Sequence, residues 1–260
     1  MIPEARDIRK AILAVSAQSG HGHIPTCFSI VEMLCAVYAV MRHDPRKPDW
    51  DERDLFVLSK GHGALAHYSV LSHYGYFPPE RVSTLGAFRS DFGCHADRAK
   101  VPGVEVSTGS LGHGIGVAAG MALALQIGGG NRRVYTLVGD GESNEGTVWE
   151  AVMVAVNLKL SNFTILYDDN RSQSRGLQIQ DPAAVFRSFG CETAVVDGHD
   201  VKALIREISL RGTAPRAIVA RTRKGYGCAT LMDNHHAWHR RSPDKNEYAV
   251  LREELDAETI

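Results

Sequence analysis

The stretch that decides the fold is V-Y-T-L-V-G-D-G-E-S-N-E-G-T-V-W-E-A-V-M-V-A-V-N-L-K-L-S-N-F-T-I-L-Y-D-D-N-R-S, residues 134–172. Val134–Val138 is a short apolar run rich in β-branched side chains, which predicts a strand. Apolar residues recur with helical spacing over Thr147–Leu158, and a second strand is predicted over Phe163–Tyr167. A crossover through one helix makes two strands parallel, so their carboxyl ends meet at one edge of the sheet. Because ligands of open α/β sheets bind at that edge, we expect a site there.

Oxygen-bearing side chains follow each of these strands. Asp140 lies between Gly139 and Gly141 after the first strand, and Asn170 follows the second. Carboxylate and amide oxygens suit Mg²⁺ or Ca²⁺ rather than Zn²⁺, and Mg²⁺ usually takes further oxygens from a phosphate. The glycines leave room for a phosphate beside the main chain, and the next helix directs its positive end to the same place. The pattern favours a metal–phosphate site over the alternative that G-D-G and D-D-N are only turns after strands.

These residues resemble the motif of thiamin diphosphate enzymes, in which G-D-G is followed at this spacing by Asn. The spacing and the E-G that follows G-D-G are similar to transketolases in particular. The resemblance implies that Asp140, Asn170 and the main-chain carbonyl of Ser172 hold a divalent cation, Mg²⁺ or Ca²⁺. That cation would bridge the diphosphate of bound thiamin diphosphate, with Gly139 and Gly141 beside it.

The remaining sequence continues the alternation of strands and helices. It predicts a doubly wound α/β fold, with a mostly parallel sheet and helices on both faces. The resemblance implies the diphosphate-binding type of thiamin diphosphate fold, as a single domain over residues 1–260. The further predicted strands are Leu55–Leu58, Thr193–Val196 and Ala217–Ala220, and the further helices are Ile8–Ala17, one that starts at Pro25, Ala64–His73, Ala183–Phe189, Val201–Leu210 and Ser242–Asp256.

Composition excludes several classes of function. The formal net charge is −1, which gives no electrostatic reason to expect nucleic acid or an anionic membrane surface as a partner. No apolar run approaches the roughly 20 residues that span a bilayer. The N-terminus does not resemble a signal peptide, and the five cysteines are scattered without a C-x-x-C pair. We therefore expect a soluble cytoplasmic protein with free thiols.

Three further segments resemble cofactor-binding loops of the transketolase family. V-L-S-K-G-H, which ends at His62, is similar to the family's V-L-S-x-G-H, whose His contacts the diphosphate and faces the substrate. T-G-S-L-G-H-G resembles the family loop that meets the aminopyrimidine ring, which implies Gly109 and Leu111. T-R-K-G-Y-G places Lys224 where it can reach the diphosphate. His113 stands where the family has Gln, which can alter the substrate side of the pocket.

Imidazoles recur in the segments that the resemblance assigns to the substrate funnel. In S-G-H-G-H either His21 or His23 can be the funnel histidine, and the register of the following helix favours His23. His95 is the counterpart of a substrate-facing histidine, although Ala96 replaces the family's Pro after it. His239, in A-W-H, is the counterpart of a histidine that donates to the diphosphate beside the reacting carbon, although Arg240 replaces the usual Gly. With His62, these imidazoles are expected to bind sugar hydroxyls and move protons.

Activity and partners follow from the same resemblance. It implies transfer of a two-carbon ketol unit from a ketose or ketose phosphate to an aldose. Glu145, and less directly Glu150, correspond to acidic residues at a subunit contact that connects paired thiamin sites. The family's activating Glu lies in a second domain, so we expect a separate chain that carries the pyrimidine domain, in an α₂β₂ assembly. The alternatives are a subunit of another thiamin diphosphate enzyme, such as a 2-oxoacid decarboxylase or dehydrogenase or a deoxyxylulose-phosphate synthase, and a non-catalytic subunit that holds the cofactor.

Overall fold

The computed structural model describes residues 2–257, and in that part of the chain five parallel strands form one sheet with helices on both faces. The strands are β1 (Leu55–Leu58), β2 (Val134–Gly139), β3 (Phe163–Asp169), β4 (Glu192–Asp197) and β5 (Arg216–Arg221). The α-helices are α1 (Ala5–Ser19), α2 (Ile24–Ser29), α3 (Val31–Val40), α4 (Ala64–His73), α5 (Pro79–Val82), α6 (His113–Ile127), α7 (Gly146–Asn157), α8 (Pro182–Phe189), α9 (Val201–Ser209), α10 (Ala229–Asp233) and α11 (Lys245–Ala257). The strand order across the sheet is β1-β2-β3-β5-β4. This confirms the predicted fold class.

The predicted strand–helix–strand unit is β2, α7 and β3. The two strands are parallel neighbours, with Val134 opposite Phe163 and Gly139 opposite Asp168. Both strands extend one or two residues beyond their predicted ends, because the main chain of Asp140 still donates to the Asp168 carbonyl, at 3.2 Å. This register brings the residues that follow the two strands to the same edge of the sheet.

Alternation of side chains along the strands divides the interior into two cores. On β2, Tyr135 and Leu137 pack into the core that contains α1, α3, α4, α9 and α11. Val134 and Val138 face the opposite way, into the core that contains α6, α7 and α8. Each of these four side chains is fully buried. Full burial of an aliphatic side chain stabilises the folded state by roughly 1.5–3 kcal/mol. A sheet covered on both faces leaves its strand ends as the place where polar groups can gather.

The helix predicted to start at Pro25 is interrupted, so that α2 and α3 are separated by Ile30. The Ser29 hydroxyl oxygen lies 3.0 Å from the Thr26 carbonyl and 2.8 Å from the Asp168 carboxylate, so its one hydrogen is shared between these two acceptors. A side chain that bonds to the main chain of its own helix competes with regular helical pairing, which explains the interruption. The break brings Ser29 to the edge of the sheet, beside the end of β3.

Asp200 caps the start of α9. The carboxylate of Asp200 accepts a hydrogen bond from the Ala203 main chain at 3.0 Å, as expected of an N-cap. Among residues 2–257, none of the helices is long and apolar enough to cross a bilayer.

Candidate active site

A cavity of about 420 Å³ lies at the carboxyl edge of the sheet. Segments from both ends of the chain form its walls, together with the loops that follow β1, β2 and β3. The lining residues are His23, Thr26, Lys60, His62, His95, Gly109, Leu111, Gly139, Asp140, Gly141, Glu142, Asn170, Ser172, Gln173, Lys224, His239 and Arg240. Every residue predicted to bind the cofactor or the metal is in this set.

Asp140 and Asn170 lie together, and Ser172 connects them. The Ser172 hydroxyl donates to Asp140 Oδ1 at 2.6 Å, and its main-chain N–H donates to Asn170 Oδ1 at 3.0 Å. The Gly141 N–H also donates to Asp140 Oδ1, at 2.7 Å, and the Gln173 N–H donates to Oδ2 at 3.3 Å. The two oxygen-bearing side chains are thus held at one point of the cavity wall. Their role as metal ligands, with the Ser172 carbonyl, stays a prediction.

The residues present fit a divalent cation that shares a phosphate. Asp140 is only 3% exposed, yet its carboxylate forms no ion pair within residues 2–257. A buried carboxylate without a cationic partner is costly, and a metal ion would supply that partner. Over the same residues there is no cluster of three His, Cys, Asp or Glu side chains that would enclose a metal ion. A site with one carboxylate and one amide therefore needs further oxygens, which a diphosphate can provide.

Two lysines give this end of the cavity positive charge. Lys60 is fully buried and pairs with the Asp168 carboxylate, at 2.5 Å. Lys224 is 7% exposed, and within residues 2–257 its ammonium forms neither a hydrogen bond nor an ion pair. Burial, and next the charge of Lys60, lower the pKa of Lys224 to about 8. An unpaired ammonium at the cavity wall is suited to bind an anion.

Four imidazoles surround the rest of the cavity. The ring centroid of His23 lies 5.6 Å from that of His62 and 5.2 Å from that of His239. His95 lines the cavity from the loop after α5, where a Cβ atom on Gly61 would lie 3.0 Å from its ring. His21 lies outside this group, packed against Gly86. The structure therefore places His23, rather than His21, in the cavity, and its contact with substrate stays a prediction.

Three of these imidazoles are held in the neutral form at pH 7. Burial, with the neighbouring His239, lowers the pKa of His23 to about 4. Burial, with the charge of Lys60, lowers the pKa of His62 to about 2, and burial, with the charge of Lys224, lowers that of His239 to about 4. A neutral imidazole has one nitrogen that donates and one that accepts a hydrogen bond, so each ring can bind a hydroxyl in either sense.

The tail that carries His239 passes directly over the loop that carries His23. The His23 N–H donates to the His239 carbonyl at 3.2 Å. A Cβ atom on Gly22 would lie 2.2 Å from the carbonyl carbon of Arg240, so only glycine permits this approach. His23 itself has φ 67°, a left-handed conformation that is costly for a residue with a Cβ and recurs at functional sites.

Glu142 is a buried carboxyl group in the cavity wall that the sequence analysis did not identify. Its Oε1 accepts from the Ser59 hydroxyl at 2.6 Å and from the Gly112 N–H at 2.9 Å, and its Oε2 accepts from the Gly139 N–H at 3.1 Å. It therefore joins the end of β1, the loop that contains Gly109 and Leu111, and the end of β2. Burial raises the pKa of its carboxyl group. The acidic residue after G-D-G was the available signal, although sequence alone does not show that it points inward.

Asp168 was missed for the same reason. It is fully buried at the end of β3 and receives the Lys60 ammonium, the hydroxyls of Ser29 and Thr222, and the side-chain amide of Asn170. The first Asp of D-D-N was the signal, since it precedes the expected metal ligand by two positions on a strand and so points to the same face.

Several residues singled out in the sequence lie outside the cavity. Glu145 and Glu150 are exposed at the start of α7, and His113 is exposed beside the Leu111 carbonyl, at 3.1 Å.

The parallel sheet and the cavity at its carboxyl edge, where Asp140 and Asn170 lie together, define the chain as an α/β protein with a candidate ligand site at the ends of its strands. The family model described as "Transketolase, thiamine diphosphate binding domain" matches residues 5–259, so the chain belongs to the transketolase family. It is a transketolase-type transferase subunit of the kind that binds thiamin diphosphate. This confirms the resemblance drawn from the motifs.

Individual relatives agree with this assignment. An apulose-4-phosphate transketolase subunit from Actinobacillus succinogenes is 36% identical over 98% of this chain and 95% of the relative. A 6-deoxy-6-sulfo-D-fructose transketolase subunit from Clostridium sp. is 35% identical over 98% of this chain and 96% of the relative. The solved transketolase from Campylobacter jejuni matches with a TM-score of 0.89 and 26% identity over 97% of this chain, but only 42% of that chain. The chain thus spans nearly all of the two subunit relatives and less than half of the solved enzyme.

Proposed function

We propose that this chain is the diphosphate-binding subunit of a two-chain transketolase, which transfers a two-carbon ketol unit from a ketose or ketose phosphate to an aldose. The observation that carries the proposal is the convergence of Asp140, Asn170, Lys224 and the imidazoles on one cavity. Relatives of the same length that are named as transketolase subunits support the division into two chains. Their names refer to different sugars, so we propose sugars or sugar phosphates as the substrate class without choosing one.

The proposed binding mode assigns each group in the cavity a partner. Asp140, Asn170 and the Ser172 carbonyl hold Mg²⁺, with Ca²⁺ as an alternative, and Lys224 neutralises the diphosphate. Gly109 and Leu111, which line the same cavity, would contact the aminopyrimidine ring. When bound, thiamin diphosphate supplies the thiazolium carbon at which the ketol chemistry takes place.

The imidazoles act on the sugar. His23, His95 and His239 surround the mouth of the cavity, and His62 lies deeper, beside Lys60. Because His23, His62 and His239 are neutral at pH 7, each ring offers a sugar hydroxyl one hydrogen-bond donor and one acceptor. A cluster of neutral imidazoles suits hydroxylated substrates, which favours sugar ketol transfer over decarboxylation of a 2-oxoacid.

An exposed apolar surface on α6 and α7 supports assembly with other subunits. Val117, Met153 and Val154 are 43%, 47% and 51% exposed, and Ile127 is 78% exposed at the end of α6. A patch of this kind marks an interaction surface in a soluble protein. Glu145 and Glu150 lie at the start of α7, on its exposed side. We propose that they lie at a subunit contact that connects paired thiamin sites in an α₂β₂ assembly.

The other half of the enzyme would be on the partner chain. We propose that residues 1–260 form a single thiamin diphosphate-binding domain and that the partner contributes the pyrimidine-binding domain with its activating Glu. Five free cysteines suit the reducing cytoplasm as the location of this assembly.

The proposal is tested by co-expressing the full chain with the subunit encoded beside it. We expect the purified pair to transfer ketol units within a panel of ketose and aldose phosphates, in the presence of thiamin diphosphate and Mg²⁺. Asp140→Ala should remove this activity, whereas Asp51→Ala, which changes an exposed Asp outside the cavity, should leave it unchanged. The split-enzyme proposal is wrong if the isolated chain is fully active. Turnover of a 2-oxoacid but of no sugar would refute ketol transfer, and cofactor binding without any turnover would indicate a subunit that only holds the cofactor.

A further inference from the structure

We infer that Asp168 is a positioning residue that fixes the side-chain amide of Asn170 in the one orientation that can bind a metal ion. The inference rests on the proposed function, because it concerns the cation that Asn170 would hold. It assigns a role to a carboxylate that does not line the cavity and lies directly behind its wall.

The hydrogen bonds of Asp168 carry the argument. Asp168 Oδ2 accepts from Asn170 Nδ2 at 2.7 Å, from Lys60 Nζ at 2.5 Å and from the Ser29 hydroxyl at 2.8 Å. The other oxygen, Oδ1, accepts from the Thr222 hydroxyl. Because the carboxylate is fully buried, these donors from four different segments replace water completely.

The chemistry of these groups determines which atom of the Asn170 amide lies where. An ionised carboxylate only accepts hydrogen bonds, so the amide atom 2.7 Å from it must be the nitrogen. The oxygen is then directed to the opposite side, where it accepts from the Ser172 N–H at 3.0 Å beside Asp140. A rotation of the amide by 180° would place Oδ1 against the Asp168 carboxylate and an N–H group at the metal position. Asp168 excludes that rotation.

Lys60 supports this orientation of the amide. Its ammonium can only donate, so Asp168 Oδ2, 2.5 Å from Lys60 Nζ, acts as an acceptor, and it accepts from the Asn170 amide in the same way. Lys60 also lines the cavity, two positions before His62. The pair therefore links the orientation of the metal ligand to the segment that follows β1.

The neighbouring Asp169 provides a matched control. It is also buried, at 2% exposure, but it faces the other side of the strand and pairs with Arg171, at 3.0 Å. Substitution of Asp169 by Asn changes the same residue type at the next position without touching Asn170, Lys60 or Ser29.

The test measures binding of Mn²⁺ in the presence of thiamin diphosphate by the co-purified pair of subunits, from the electron paramagnetic resonance signal of free Mn²⁺. We expect Asp168→Leu, which has a similar branched shape and no acceptor oxygen, to weaken Mn²⁺ binding by about 10–100-fold, the usual effect of removing a group that orients a metal ligand. Asp169→Asn should stay within about threefold of wild type, and circular dichroism checks that each variant is folded. Equal Mn²⁺ affinity in Asp168→Leu and wild type would overturn the inference while leaving the proposed function intact. Failure of the wild-type pair to bind Mn²⁺ would instead refute the proposed function.

A second variant separates orientation of the amide from loss of charge. Asn170→Asp places two carboxylates in contact, so we expect weaker Mn²⁺ binding although a carboxylate is intrinsically the stronger ligand. Tighter binding by Asn170→Asp would overturn the inference. The Asn170→Asp measurement stands even if Asp168→Leu does not fold.

Discussion

Lys224 places a positive charge in the cavity wall that should destabilise the chain in the absence of cofactor. Burial, and next the charge of Lys60, lower the pKa of Lys224 from 10.5 to about 8, whereas Asp140 and Asp168 oppose that change. A difference of this size corresponds to roughly 3 kcal/mol of preference for the neutral amine in the folded state. We therefore expect Lys224→Met to raise the free energy of unfolding of the cofactor-free chain by about 1–3 kcal/mol at pH 7, because the methionine keeps most of the packing and removes the charge.

The dependence on pH makes this prediction specific. Below pH 8 the lysine is protonated in both the folded and the unfolded chain, so the full cost of burying the charge is present. Between pH 8 and 10.5 the unfolded chain binds more protons than the folded one, so the stability of the wild type rises relative to the variant. The advantage of Lys224→Met should therefore be constant up to about pH 8 and disappear by about pH 10.5.

Urea denaturation of the wild-type and variant forms of this chain at several pH values measures the difference. The contributions of the other titrating groups to stability cancel in the comparison. Lys202→Met, at an exposed position on α9, serves as the control and should change the free energy of unfolding by less than about 0.5 kcal/mol. In the cofactor-loaded pair we expect the opposite order of stability, since Lys224→Met would remove the charge-assisted contact to the diphosphate that we propose for Lys224. The reasoning is refuted if the variant is less stable than wild type at pH 7, or if its advantage persists unchanged to pH 10.5.

Three further predictions concern other parts of the site. Glu142→Gln places an amide N–H group against donors that now bond to the carboxylate. We expect it to lower the free energy of unfolding, measured by urea denaturation, by about 1–3 kcal/mol. An unchanged urea midpoint would contradict the role of Glu142 in joining three segments. Lowering the pH below 6.5 should destabilise the cofactor-free chain, because His23, His62 and His239 take up protons at higher pH in the unfolded chain than in the folded one. A free energy of unfolding that stays constant from pH 6.5 to 4.5 would show that these rings are not buried in the neutral form. Val154→Glu, at an exposed position on α7, should change the free energy of unfolding of the isolated chain by less than about 0.5 kcal/mol. It should reduce the mass of the subunit assembly in analytical ultracentrifugation. An unaltered mass would exclude α7 from the interface between subunits.

The fold and much of the cavity could be predicted from the sequence because local patterns determined them. The apolar runs and the helical spacing of residues 134–172 fix a parallel unit, and its geometry alone brings Asp140 and Asn170 to one edge. The motif resemblance then located the imidazoles, because each follows a recognisable segment. None of these steps required knowledge of which distant residues touch.

What could not be predicted depends on contacts between distant segments. The break between α2 and α3 arises where Ser29 bonds to the Thr26 carbonyl of its own helix and is held beside Asp168, far away in the chain, and no local signal at Ile30 announces it. Glu142 and Asp168 look like surface acids in the sequence, since charged residues are rarely buried without partners. Their partners are main-chain N–H groups, a lysine and hydroxyls from other elements, which become evident only in the folded chain.

The close passage of Arg240 over Gly22 has a consequence for biosynthesis. His23 leaves the ribosome long before the carbonyl of His239, to which it bonds, has been made. A growing polypeptide can therefore form much of the sheet while the pocket still lacks one wall, because this contact joins segments that are far apart in the chain. We expect ribosome-stalled fragments that end before His239 to bind thiamin diphosphate more weakly than the full chain does.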